Sequence, residues 1–170
     1  MTIPELINDL RDRCEKAVEE GRPFEDLFSA FQSEIIRNLI DLVEKRAEKI
    51  YFYSDLEEGA ITLNWLFRID GEYYTEGGVN KAVKAGKMSS SLTKQQKHDI
   101  NLTIVSYDTA VRWLCKYYGK PIPTVIKLIY NAKTRQVKAK YGYEKLKPLD
   151  EYDEITRYGI WFDEIRENHL

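Results

Sequence analysis

The sequence predicts an α+β fold, in which an antiparallel sheet of about five strands packs with two N-terminal helices, one central helix and one C-terminal helix. Three observations carry this prediction. Apolar residues recur at helical spacing up to about residue 48, the period changes to alternation from Lys49, and two further alternating runs flank a polar turn between Pro123 and Tyr143. A length of 170 residues suits one domain, so residues 1–170 are predicted to form a single unit.

Two amphipathic helices are predicted at the start of the chain. Residues 2–20 form the first, with Thr2 as a possible N-cap and Gly21 as the stop. The second runs from residue 23 or 24 to about residue 48 and carries an apolar stripe wide enough to need a sheet or two helices to cover it. Its polar face holds several acidic residues, which favours core packing over membrane binding.

Three strands follow, over residues 49–55, 60–69 and 72–75, because apolar and polar side chains alternate there. The Glu57-Glu58-Gly59 sequence supplies the first turn. Asp70-Gly71 supplies the second, and this pair is a strong hairpin signal because both positions need positive φ.

The second half of the chain is also predicted to contain both helices and strands. Residues 76–92 contain glycines and a serine run and are predicted to be a mobile surface loop with a possible short turn of helix. Thr93 is predicted to cap the central helix, which ends at Gly119. In the hairpin that follows, the first arm is largely apolar on both faces and is predicted to be an inner strand, whereas the return arm has one dry face and one wet face. Residues 152–168 form the last predicted helix.

The net charge of −2 hides a strong asymmetry along the chain. Residues 1–80 carry a net charge of −9, residues 81–140 carry +11, and residues 141–170 carry −4. Such an asymmetry steers association with a charged partner more than it determines the fold.

The sequence offers no catalytic constellation, so no catalytic residue, metal ligand, cofactor or small-molecule substrate is predicted and the protein is not expected to be an enzyme. Neither of the histidines, His98 and His169, has a second ligand at metal-binding spacing, and no nucleophile elbow or phosphate loop is present. Cys14 and Cys115 are predicted to be buried free thiols in a reducing compartment. With no targeting signal and no apolar run of about 18 residues, a cytoplasmic location without membrane contact is expected.

Residues 81–140 support an alternative prediction, a nucleic-acid-binding regulator. Lys127, Lys138 and Lys140 fall on one face of the predicted hairpin, and basic and aromatic side chains together suit single-stranded nucleic acids. Tyr141, however, alternates away from Lys138 and Lys140. The acidic flanks would also repel a phosphate backbone unless they lie on the far side of the molecule.

Several segments resemble the YezG-like family of bacterial antitoxin or immunity proteins. They lie in order between about residue 30 and residue 167, and they comprise residues 48–51 leading to 57–59, 67–72, 123–134, 141–143 and 161–165. The chain departs from the family pattern at Asn131, where aspartate is usual, at Arg135, which replaces a hairpin glycine, and in the 76–92 segment, which looks like an insertion.

The resemblance implies an α+β protein without enzymatic activity that binds and silences a cognate secreted toxin, often a nuclease at the C-terminus of a polymorphic or contact-dependent toxin. Nuclease active sites are usually basic, so acidic residues and aromatic anchors are the expected toxin contacts. The predicted contact residues are Glu57, Glu58, Tyr73, Tyr74, Asp150, Glu151, Asp153, Glu154 and Trp161. The expected partner is the toxin C-terminal domain.

Overall fold

A computed structural model of the chain describes residues 1–56, 62–146 and 157–170. The helices in these ranges are α1 Ile3–Glu19, α2 Phe24–Leu42, α3 Val79–Lys84, α4 Lys94–Tyr117 and α5 Arg157–Asn168. The strands are β1 Lys49–Asp55, β2 Thr62–Ile69, β3 Glu72–Thr75, β4 Val125–Asn131 and β5 Gln136–Gly142. These elements confirm the predicted α+β fold and add one short helix, α3, to it.

The five strands form one antiparallel sheet in the order β3-β2-β1-β4-β5. β4 therefore lies inside the sheet, as its apolar faces predict, and β5 lies at an edge. Asp70 and Gly71 both have positive φ, 50° and 78°, which is the backbone that a tight turn between β2 and β3 requires. The predicted turn at residues 57–59 lies outside the described residues.

The sheet lies between two unequal layers of helices. One face, which carries Phe52, Phe67 and Leu128, joins the main hydrophobic core with α1, α2 and α4. The other face, which carries Tyr51 and Leu66, packs against α5. Side chains alternate between the two faces along each strand, and residues that pair across neighbouring strands point to the same face. Each such pair therefore packs against the same layer of helices.

Capping residues begin two of the helices where the sequence predicts. The backbone N–H of Glu5 donates to Thr2 Oγ1 at 3.3 Å, and the backbone N–H of Gln96 donates to Thr93 Oγ1 at 3.0 Å. In both caps the side chain at the third helical position accepts from the cap's own N–H, which completes a capping box.

The second helix ends earlier than predicted, at Leu42 and not near residue 48. Glu44 and Lys45 adopt left-handed φ values of 56° and 59°, and the N–H of Lys45 donates to the carbonyl of Ile40. The Glu44 carboxylate accepts a hydrogen bond from the N–H of Ser89. The apolar spacing of the sequence continues past Leu42 because Val43 and Ala47 are also buried, but both residues lie beyond the end of the helix.

Residues 76–92, predicted as a mobile surface loop with a possible turn of helix, contain a 3₁₀ turn at Glu76–Gly78 and then α3. Val79, Ala82 and Met88 are buried in the main core. This part of the segment is therefore anchored, because three apolar side chains spaced among the glycines and serines give it a surface to bury.

The hydroxyl of Tyr141 fastens β5 to α2 by donating to Gln32 Oε1 at 2.7 Å. Gln32 is only 4% exposed, so replacing Tyr141 with Phe leaves a buried carbonyl oxygen without this donor. We expect Tyr141→Phe to lower the free energy of unfolding by about 1–2 kcal/mol, measured by urea denaturation. Tyr143→Phe is the matched control, since Tyr143 is 53% exposed, and it should change stability by less than about 0.5 kcal/mol. Equal effects of the two substitutions would contradict this role of the Tyr141 hydroxyl.

Candidate functional site

Helix α5 covers its face of the sheet through an aromatic cluster. The ring of Trp161 lies 6.2 Å from that of Tyr51 and 6.3 Å from that of Tyr53, measured between centroids. Trp161 is 8% exposed and Phe162, its neighbour in the cluster, is 2% exposed. Burial raises the pKa of Tyr53 to about 12, so this phenol stays neutral at physiological pH. The cluster is a second, smaller core that holds α5 in place.

An ion pair joins the end of β1 to the start of α5. Arg157 Nη1 lies 2.7 Å from Asp55 Oδ2, and Asp55 is 3% exposed. A buried carboxylate of this kind needs its cationic partner, because removing one member leaves an uncompensated charge. The pair therefore holds the start of α5 at the corner of the sheet where β4 begins and β5 ends.

Three lysines stand on the α5 side of β4 and β5, and we call Lys127, Lys138 and Lys140 the lysine row. Lys127 is directly opposite Lys140, and Lys138 is opposite Ile129. The ammonium of Lys127 lies 5.5 Å from the centroid of the Trp161 ring. Within the described ranges, no member of the row forms a salt bridge.

Lys127, the member of the lysine row on the inner strand β4, carries its positive charge in an unfavourable environment. Burial, and after it the positive charge of Lys140, lower the pKa of Lys127, while Glu164 acts in the opposite direction. Like charges directly opposite each other on neighbouring strands are unfavourable. The lysine row is therefore a cationic surface whose members form no salt bridge with the described residues.

A groove of about 660 Å³ runs beside the lysine row, between the β4–β5 hairpin and α5. Among the described residues, its lining includes the lysines Lys127, Lys140 and Lys145, the carboxylate of Glu144, and the guanidinium of Arg157, which is already paired with Asp55. Its chemistry suits an anionic group better than a cationic one.

Six of the nine predicted toxin contacts, Glu57, Glu58, Asp150, Glu151, Asp153 and Glu154, lie outside the described residues. Of the others, Tyr73 is half-buried on β3, and its hydroxyl donates to the carbonyl of Leu170 at 3.4 Å. Tyr74 points to the opposite face, is 7% exposed and donates to the Glu72 carboxylate at 2.7 Å. The burial of Tyr74 and Trp161 favours roles in packing over roles as contact anchors.

The basic middle of the sequence divides into separate surfaces in three dimensions. Lys81 and Lys84 are exposed on α3, beside β3, whereas the lysine row lies at the β5 edge. Strands are spaced about 4.8 Å apart, so these edges of the sheet are roughly 19 Å from each other. Lys87, the next lysine after α3, is engaged by the Glu72 carboxylate at 3.3 Å and by the Tyr74 ring at 5.8 Å.

A carboxyl group and a hydroxyl group are buried together between β1 and α4. Ser54 Oγ donates to Asp108 Oδ2 at 2.6 Å, and the two residues are 0% and 1% exposed. Burial raises the pKa of Asp108 to about 7, against the hydrogen bond from Ser54 and the charge of Arg112, which lower it. A substrate cannot reach this pair, so it does not form a nucleophile and base.

The described part of the chain carries neither a metal-ligand cluster nor a helix that could span a membrane. Among residues 1–56, 62–146 and 157–170, no three His, Cys, Asp or Glu side chains converge as they would around a metal ion. The described helices include none with the length and apolar character needed to cross a bilayer.

Comparison with protein-family models and with curated proteins finds no match to this sequence.

Proposed function

We propose that this chain is an immunity protein, an antitoxin that binds and neutralises a cognate secreted bacterial toxin domain. The toxin is a nuclease, and the immunity protein occludes its active site or its substrate surface. It acts in the cytoplasm, by contact with the C-terminal domain of the toxin and without catalysis.

The observation that carries the proposal is the way in which the segments that resemble YezG-like proteins adjoin in the fold. Apart from residues 57–59, which lie outside the described residues, they fall at the start of β1, in the β2–β3 hairpin, through β4 into its turn, at the end of β5 and within α5. Tyr51 and Trp161, from the first and last of these segments, pack 6.2 Å apart between ring centroids. Segments far apart in sequence thus lie together in one sheet-and-helix unit, which supports the proposal.

The chemistry of a nuclease active site explains how an immunity protein can occlude it. A nuclease binds phosphates through positive side chains and backbone donors, and carboxylates on an inhibitor can satisfy the same groups.

Coexpression tests the proposal directly. The toxin C-terminal region encoded immediately upstream is expressed with and without this chain, and both growth and co-purification are measured. Rescue of growth together with a stable complex is the expected result. A toxic product that this chain neither binds nor neutralises would overturn the proposal.

Charge reversal tests the acidic contacts. We expect Glu57→Lys with Glu58→Lys, and separately the reversal of Asp150, Glu151, Asp153 and Glu154, to weaken the toxin complex at least about tenfold and to flatten its salt dependence. The matched control is Asp12→Lys with Glu19→Lys, two exposed carboxylates on α1. If toxin affinity and its salt dependence were unchanged in both reversals, the acidic set would not be the contact surface.

The lysine row supports a second candidate function, a nucleic-acid-binding regulator. Lys127, Lys138 and Lys140 share one face, and the indole of Trp161 lies against the first of them. Such a protein would be retained on single-stranded DNA or RNA and released by salt, since phosphate contacts release counterions. Absence of any salt-sensitive retention would exclude this function.

A further inference from the structure

Strand β5 forms one edge of the sheet, and its outer side pairs with no other strand in the described part of the chain. It is the last strand of the sheet and runs for seven residues, Gln136–Gly142, with β4 as its partner in the described part of the chain. The outer backbone groups of such a strand can pair with another strand. Proteins usually shorten, cover or charge their edges for this reason.

The opposite edge of the sheet is formed by the shorter strand β3. β3 has four residues and is followed at once by the 3₁₀ turn and α3. Lys87 lies over the ring of Tyr74 there and is paired with Glu72. Between the two edges of the described sheet, β5 is therefore the one suited to accept a further strand.

The side chains of β5 define what such a strand must carry. Lys138 and Lys140 project from one face and are exposed, while Val137, Ala139 and Tyr141 project from the other, where they are half-buried or exposed. Side chains on an added strand would alternate in the same way. Carboxylates would meet the lysines on one face, and apolar groups would extend the stripe of Val137, Ala139 and Tyr141 on the other.

Protection of the β5 edge against self-association explains Lys138 and Lys140 but does not explain Lys127. Lysines on an edge strand oppose self-association, and two copies of β5 side by side would bring like charges together. Lys127, however, belongs to the inner strand β4, where no edge needs protection. It stands opposite Lys140 with no carboxylate in salt-bridge contact among the described residues. An anionic partner would relieve this repulsion, whereas a second copy of the chain would increase it.

We infer that the β5 edge binds an extended segment of the toxin domain in which acidic residues alternate with apolar ones, adding a sixth strand to the sheet. This inference rests on the proposed immunity function and specifies how the partner docks. The partner's backbone supplies the ladder hydrogen bonds, and its carboxylates pair with Lys138 and Lys140, which decide the register.

The test combines affinity with amide hydrogen exchange on the full chain and the toxin domain encoded upstream. We expect Lys138→Glu with Lys140→Glu to weaken the complex about tenfold or more. The control, Lys81→Glu with Lys84→Glu, makes the same change of charge at the far edge and should alter affinity less than about twofold. In the wild-type complex, amides of residues 136–142 should exchange more slowly than in the free protein. Thermal unfolding of each variant checks that the fold is retained.

The outcomes separate this inference from the proposed function. A wild-type chain that does not bind the toxin overturns the function and this docking mode with it. Wild-type binding with unprotected β5 amides, or with equal affinity for the Lys138 and Lys140 variant, overturns the docking mode and leaves the function standing. Salt-sensitive retention of a mixed-sequence single-stranded oligonucleotide that is lost in the same variant would assign the lysine row to nucleic acid, which also overturns the inference.

Discussion

Replacing Trp161 with Ala is expected to lower the free energy of unfolding by about 3–5 kcal/mol. The indole is 8% exposed and contacts the rings of Tyr51, Tyr53 and Phe162, so its removal opens a cavity between α5 and the sheet. The ammonium of Lys127 also loses the ring beneath it. Denaturation in urea measures the change.

Ile160→Ala is the matched control for this experiment. Ile160 precedes Trp161 on the same helix but is 55% exposed, so its truncation should change stability by less than about 0.5 kcal/mol. If Trp161→Ala kept wild-type stability and yet weakened the toxin complex, Trp161 would be a contact anchor, as the sequence suggests, and not a core residue.

Replacing Asp108 with Asn is expected to stabilise the protein by about 2–4 kcal/mol at pH 8, from about 1.4 kcal/mol for each unit of pKa shift. The carboxylate is 1% exposed, its Oδ1 has no hydrogen-bond partner among the described residues, and burial raises its pKa from 3.8 to about 7. Because the folded pKa is the higher one, the stabilising contribution of the protonated acid is complete below pH 4 and is lost as pH rises towards 7. Asparagine keeps the volume and the acceptor for Ser54 but cannot ionise.

The pH dependence of unfolding checks this prediction. Wild type should lose stability relative to Asp108→Asn between about pH 4 and pH 7, and the two should differ least at the acidic end. Asp99→Asn on the same helix is the control, since Asp99 is exposed. Parallel stability curves for wild type and Asp108→Asn across this range would show that Asp108 remains ionised in the folded state.

Most of the fold could be predicted from local signals. β1 occupies residues 49–55 as its alternation predicts, and the caps at Thr2 and Thr93 begin their helices, because a hydroxyl three residues before a Glu or Gln satisfies backbone donors whatever the tertiary context. The Asp70-Gly71 turn is of the same kind, since its positive φ values are a property of two residues.

The candidate site was less predictable, because charge along a sequence does not reveal which surface carries it. Alternation correctly places Lys127, Lys138 and Lys140 on one face with Tyr141 on the other. It cannot show that α5 would bring Trp161 beside Lys127, since these residues are 34 positions apart. Nor does it separate the exposed Lys81 from the engaged Lys87.

Local sequence signals specify the α+β class, the hairpins, the inner position of β4 and the helix caps, because periodicity, turn chemistry and capping act over a few residues. Tertiary structure alone decided the early end of α2, the burial of α3 and the pairing of Asp108 with Ser54. The position of β5 at an edge of the described sheet, beside lysines that form no salt bridge with the described residues, arises there too. These features depend on contacts between elements distant in sequence, where the free energy of burial and of charge pairing overrides local preference.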